Sequence, residues 1–135
     1  METSTNPALH KLAEALGVRT QRHTGGGKGY YHAPTHTITT RRGMSIQQYK
    51  STFAHELAHA IRRDVPIDNA VLHARNERRV DTMAANMLIT KEAFLDAYIW
   101  HNGHMGAIAD ELEVTKHLLS IWIQANMGVL LYNIR

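Results

Sequence analysis

Two histidines four residues apart, with a glutamate beside the first, are the groups in this 135-residue chain best suited to chemistry: His55-Glu56-Leu57-Ala58-His59. On a helix turning about 100° per residue, His55 and His59 project within about 40° of one another, with Glu56 about 60° further round. Two imidazole nitrogens can then grip one zinc ion while the carboxylate faces a water at the metal's open position. That set of groups is equipped for hydrolysis of an amide. Zinc lowers the pKa of its water toward about 7 and polarises the carbonyl, and Glu56 takes the proton and later delivers it to the leaving amine. In a chain with 10 histidines such a spacing can arise by accident, so its surroundings have to decide.

Those surroundings read as one amphipathic helix from about Ser45 to Arg63. Ser45 followed by Gln48 is a capping-box pattern, and Met44 can pack on Tyr49 as a hydrophobic staple. Ile46, Tyr49, Phe53, Leu57, Ala60 and Ile61 gather on one side, and Gln48, Thr52, His55, Glu56 and His59 on the other. The histidines are therefore off the apolar face, where a core histidine would sit.

A catalytic zinc site keeps three protein ligands and one open position, so a third ligand has to be found, and there is no cysteine to supply it. The next helical stretch, Asn76 to Leu88, carries Glu77 and Asp81 at i and i+4, with Ala84, Ala85 and Leu88 on the same face. Small alanines let that face come close to the first helix. Glu77 can then complete the ligand set, and Asp81 can accept a hydrogen bond from the second ring nitrogen of a liganding histidine, fixing its tautomer. The competing reading is an exposed acid pair bridged to Arg75, Arg78 and Arg79.

From about Gly25 to Trp122 the chain resembles the ImmA/IrrE family of metallopeptidases, on the segments STFAHELAHA at 51–60 and ERRVDTMAANMLI at 77–89. The resemblance implies zinc held by His55, His59 and Glu77, a general base at Glu56 and an outer position for Asp81. It also implies a protein substrate, a repressor-like transcription factor of a phage or mobile element, cleaved or otherwise inactivated to relieve transcriptional control. Arg79 stands where many relatives carry a second acid, which leaves Glu77 as the only carboxylate of that pair. Thr90 stands where many carry a proline.

Around this site the expected fold is α+β: a small three-stranded antiparallel sheet packed on a zincin-type helix pair, with a C-terminal helical bundle. One domain over 1–135 is expected, with the zincin core at 1–90 and a helical subregion at 91–135. A first helix from Pro7 to Leu16, capped by Asn6 and stopped by Gly17, would bury Leu9, Leu12, Ala13 and Leu16. Strands are expected at Val18–Thr24, Gly29–His32 and Thr35–Thr40. The last of them leads into the zinc helix and would lie along the cleft, where a substrate peptide could add as a further strand. Thr24 to Gly29 lacks a full phosphate-loop pattern and is read as a flexible hairpin turn.

Beyond Thr90, a possible cap, helices are expected at Lys91–His101, His104–Leu112 and Lys116–Met127. The last two carry the apolar pattern Ile108, Ala109, Leu112, Val114, Leu118, Ile121, Trp122, which resembles a helix-turn-helix. Lys116, His117 and Gln124 are poor provision for reading DNA, so a structural bundle is favoured over a DNA-binding protein. The apolar tail Val129 to Ile134 would pack on that bundle or on another subunit. A net charge of +3 comes from dispersed arginines without interleaved aromatics, which makes a nucleic-acid partner unlikely. The polar start and the lack of an apolar run of about 18 residues point away from a membrane and to the cytoplasm, that of the bacterial host if the protein is phage-encoded. A zinc-binding regulator that acts by binding alone stays open as an alternative to the peptidase.

Overall fold

The segment Thr37-Ile38-Thr39-Thr40 is buried along its whole length, with Ile38 at 0% exposure, and only a strand with neighbours on both sides satisfies that. In the computed structural model, which describes residues 7–128, it forms the centre of a three-stranded sheet. The strands are β1 (Arg19–His23), β2 (Gly29–His32) and β3 (Thr37–Arg41), in the order β1-β3-β2. A single 3₁₀ turn at Ala33–Thr35, closed by His36 at φ 50°, folds β3 back antiparallel to β2, from Gly29 opposite Thr40 to His32 opposite Thr37. β1 lies on the far side of β3 and runs parallel to it. The sheet is therefore mixed, which corrects the antiparallel expectation. The reason lies in β1 itself: Arg-Thr-Gln-Arg-His has no apolar side chain to bury between two neighbours, so it takes an edge.

That order also redefines the glycine-rich loop. It joins the two outer strands across the end of β3 and is not a hairpin turn. Gly25 and Gly26 have φ of 73° and 70°, and the loop is tied by the Arg41 guanidinium to the Gly26 carbonyl at 2.7 Å.

The sheet packs on α2 (Ile46–Arg62), which in turn packs on α3 (Ala70–Leu88). Ser45 caps α2 by accepting from the Gln48 amide, as its sequence pattern requires. α3 begins six residues ahead of Asn76, because Asn69 is its cap and accepts from the Leu72 amide. Val71 and Leu72 in that first turn are exposed, so no amphipathic pattern marks it. α1 (Pro7–Ala15) buries Leu9 and Ala13 but leaves Leu12 and Leu16 in solvent, and Ile61 of α2 is likewise exposed.

Helices α4 (Lys91–Trp100), α5 (Met105–Leu112) and α6 (Lys116–Ala125) close the other side, each with a side-chain cap from Thr90, His104 and Thr115. Phe94 and Trp122 meet as a tilted pair, 5.0 Å between ring centroids, and Ile108, Val114, Leu118 and Leu119 join the same core as Phe53 and Leu57. The turn between α5 and α6 docks on α2: the Thr115 amide donates to Ser51 Oγ at 3.1 Å, and Lys50 pairs with Glu113 at 3.1 Å. Asn6 and the Val129–Ile134 tail lie outside the described residues. Among the described residues, no helix is long and apolar enough to cross a membrane.

Candidate metal centre

Because α2 and α3 pack side by side, His55 and His59, one helical turn apart on α2, meet Glu77 of α3 across their contact. One ligand atom each from His55, His59 and Glu77 lies within 4.8 Å of the others. His55 Nε2 stands 3.2 Å from Glu77 Oε1, and His59 Nε2 stands 3.0 Å from Glu77 Oε2. Two ligand atoms each about 2.1 Å from one tetrahedral ion are about 3.4 Å apart, so this donor set fits a single ion with little adjustment. The chemistry of the set agrees: two imidazoles and one carboxylate suit zinc and leave a fourth position free.

The outward-facing nitrogens are also held. His55 Nδ1 donates to Asp81 Oδ1 at 2.8 Å, which is the contact expected from the spacing of Glu77 and Asp81. His59 Nδ1 donates to Asp64 Oδ2 at 3.0 Å. Asp64 was not found by sequence reasoning. It is brought back beneath His59 by Arg63, which ends α2 in the left-handed conformation at φ 53°. Asp64 is then held on two more sides, by Arg62 Nε at 3.1 Å and by the side-chain amide of Asn76 at 3.3 Å. Arg62 in turn donates to Asn76 Oδ1 at 2.6 Å, so the buried Asn76 is satisfied as donor and acceptor. The signal available in the sequence was an acid five residues past His59, meaningful only once the turn is known.

Glu56 is buried between this cluster and the sheet, at 7% exposure. The backbone amide of Tyr31 donates to its carboxylate, so the free edge of β2 faces the site. Gly29 explains how β2 comes so close: a Cβ there would meet Thr52 at 2.7 Å and the Thr39 carbonyl at 3.0 Å. Burial raises the Glu56 pKa and Glu77 adds to that, against the lowering pull of His55, His59 and the Tyr31 amide. For His55, burial alone would lower the pKa, but the Asp81 hydrogen bond and the fields of Glu56, Asp81 and Glu77 outweigh it and raise it. For Asp64, burial is outweighed by hydrogen bonds from His59, Asn76 and Arg62, and the pKa is lowered.

Two hollows of about 310 and 300 Å³ open on either side of His55, Glu56 and Gly29, which line both. His73, Tyr98, His101 and His104 are the side chains whose chemistry could steady an oxyanion, and of these His73 lines the second hollow. The others are engaged at the α4–α5 turn: His101 with Glu111 at 2.6 Å, His104 as a helix cap, Tyr98 beside Phe94 and Gly103. Thr115, His117 and Leu118, from the start of α6, form a wall of the first hollow.

Residues 13–121 match the family model of the M78 peptidases, described as the IrrE N-terminal-like domain, and the chain belongs to that family of metallopeptidases. This is the ImmA/IrrE relationship that the two helix motifs had indicated. No curated protein matches the chain.

Proposed function

We propose that the protein is a zinc-dependent metalloendopeptidase that hydrolyses a peptide bond in a protein target, a repressor-like transcription factor of a phage or mobile element. The observation that carries the peptidase reading is the convergence of His55, His59 and Glu77 with Glu56 buried alongside. The target class rests on the family alone.

His55, His59 and Glu77 would hold the metal, while Asp81 and Asp64 engage Nδ1 of the two rings and so leave each Nε2 available as a ligand. When bound, zinc supplies Lewis acidity toward the scissile carbonyl and makes water more acidic. Glu56 accepts the proton of the attacking water and returns it to the departing amine; its raised pKa brings it closer to that task. An extended substrate can add along the free edge of β2, and not along β3 as the sequence had indicated, since β3 is enclosed by both neighbours.

The position of α6 argues against the DNA-reading alternative. Its first residues, where a recognition helix makes base contacts, face the cleft, and Leu118, Leu119 and Trp122 are buried. The test is cleavage of candidate repressors by zinc-loaded protein, followed by mass spectrometry. Glu56→Gln should retain zinc and lose roughly 10²- to 10⁴-fold in rate. Full cleavage by that variant contradicts the mechanism, and repressor binding without any cleavage by the native protein points to a regulator that acts by binding.

A further inference from the structure

The two hollows that meet at Glu56 both mix polar and apolar lining, and they differ in which side chains stand beyond the metal-site groups. Besides Glu56 and Asp81, which His55 engages, the first is bordered by Lys28, Gln48, Thr52 and His117. Lys28 is exposed and has no ion-pair partner among the described residues; His117 is largely exposed, 3.8 Å from an Asp81 that is already engaged by His55. Besides the metal-site groups and His73, the second is bordered by Tyr31, Val65, Pro66 and Ile67, from β2 and the segment between α2 and α3. Val65 is 64% exposed, and Val71 and Leu72 at the start of α3 are exposed as well, at 66% and 51%. Apolar side chains concentrated on one lip of a cleft mark a contact surface more than scattered ones do.

We propose that the cleft selects an extended protein segment by two side chains on opposite sides of the bond facing Glu56: a large apolar one against Val65 and Ile67, and an acidic one toward Lys28 and His117. This rests on the peptidase reading only for what happens after docking. Three features support it. Gly29, His55 and Glu56 belong to both hollows, so one strand crossing the site must enter each. β2 runs from Gly29, which follows Lys28 and lines both hollows, to Tyr31, which lines the second alone, with its free edge turned to Glu56, so backbone pairing would fix which side chain meets which hollow. The chain's net charge of +3 favours acidic partners over basic ones.

The experiment separates docking from turnover. Zinc-loaded Glu56→Gln, immobilised, is presented with a randomised peptide library, and bound peptides are sequenced. The expected pool is enriched in Leu, Ile, Met or Phe at one position and in Asp or Glu a few residues away on one side only. Val65→Asp, with Val65→Ser as a milder second variant, should remove the apolar preference and weaken binding roughly tenfold while leaving the acidic one. Lys28→Glu should replace the acidic preference by a basic one. Both positions are exposed, and circular dichroism with zinc titration checks that fold and metal site persist. A pool without positional preference, or one unchanged in both variants, overturns the inference. So does a dimer in ultracentrifugation that Val65→Asp breaks, because the lip would then belong to a second copy. Native protein that binds the selected peptides without cutting them leaves the docking inference standing and removes the peptidase reading.

Discussion

His55 and His59 perform matching work from adjacent turns of α2, but they are held from different places. The carboxylate behind His55 is Asp81, 26 residues away on the opposite helix. The one behind His59 is Asp64, five residues further along the same chain and just past the end of the helix that carries the histidine. His55 therefore depends directly on how α2 and α3 pack, whereas His59 depends on a turn at the end of α2 that Arg62 holds from its own helix and Asn76 from α3. A metal site with one carboxylate supplied by the opposite helix and one by its own chain has two different groups through which it can loosen.

The strongest way to probe that division is to remove each support. Asp81→Ala and Asp64→Ala should each lower zinc affinity about 10- to 100-fold, read by competition with a chelating dye. Nitrogen-15 spectra of the imidazoles should show only His55 losing its fixed tautomer in the first variant and only His59 in the second. Equal disturbance of both rings by either variant would make the two supports one network.

A smaller effect is expected at the clamp. Asn76→Ala leaves the Arg62 and Asp64 groups short of partners and should destabilise the fold by about 1–3 kcal/mol in urea unfolding. His55 should be untouched, so any loss of zinc affinity should be less than that of Asp64→Ala.

The pH dependence of the chelator-treated protein separates the two acids beside the histidines by sign. The Asp64 pKa is lowered below 3.8 on folding, so its contribution to stability is present above 3.8 and is lost as pH falls through the lower folded value. The Glu56 pKa is raised above 4.5, so its ionisation opposes folding as pH climbs past 4.5 and does so fully above the folded value. Glu56→Gln should accordingly raise the melting temperature at neutral pH and give no gain below pH 4.5, while Asp64→Asn should flatten the acid limb. The smallest effect belongs to the partly exposed Lys50–Glu113 pair that ties the α5–α6 turn to α2: Glu113→Gln should cost at most about 1 kcal/mol.

The same contrast explains what the sequence disclosed. Glu77 and Asp81 were legible because a regular helix turns a spacing of four into a shared face, and Ser45 and Thr90 were legible because a cap is a local hydrogen bond. Asp64 was not, since its position depends on a left-handed residue at Arg63, a conformation no neighbouring glycine advertised. The strand segments were recognised by their composition, but their order was hidden. A turn of glycines looks alike whether it joins neighbours or spans a third strand, and only the burial of Thr37 to Thr40 reveals that β3 takes the middle. The C-terminal helices carried a pattern that fits several roles. Their task as a wall of the cleft became visible only when Thr115 was seen bonded to Ser51 of the metal helix.

Calorimetric titration of zinc into the chelator-treated native protein and into Glu77→Ala tests the central claim most directly. The His55, His59 and Glu77 centre predicts one equivalent bound by the native chain and a large loss of affinity in the variant, with the fold retained by circular dichroism. Unchanged affinity and stoichiometry in Glu77→Ala would contradict it.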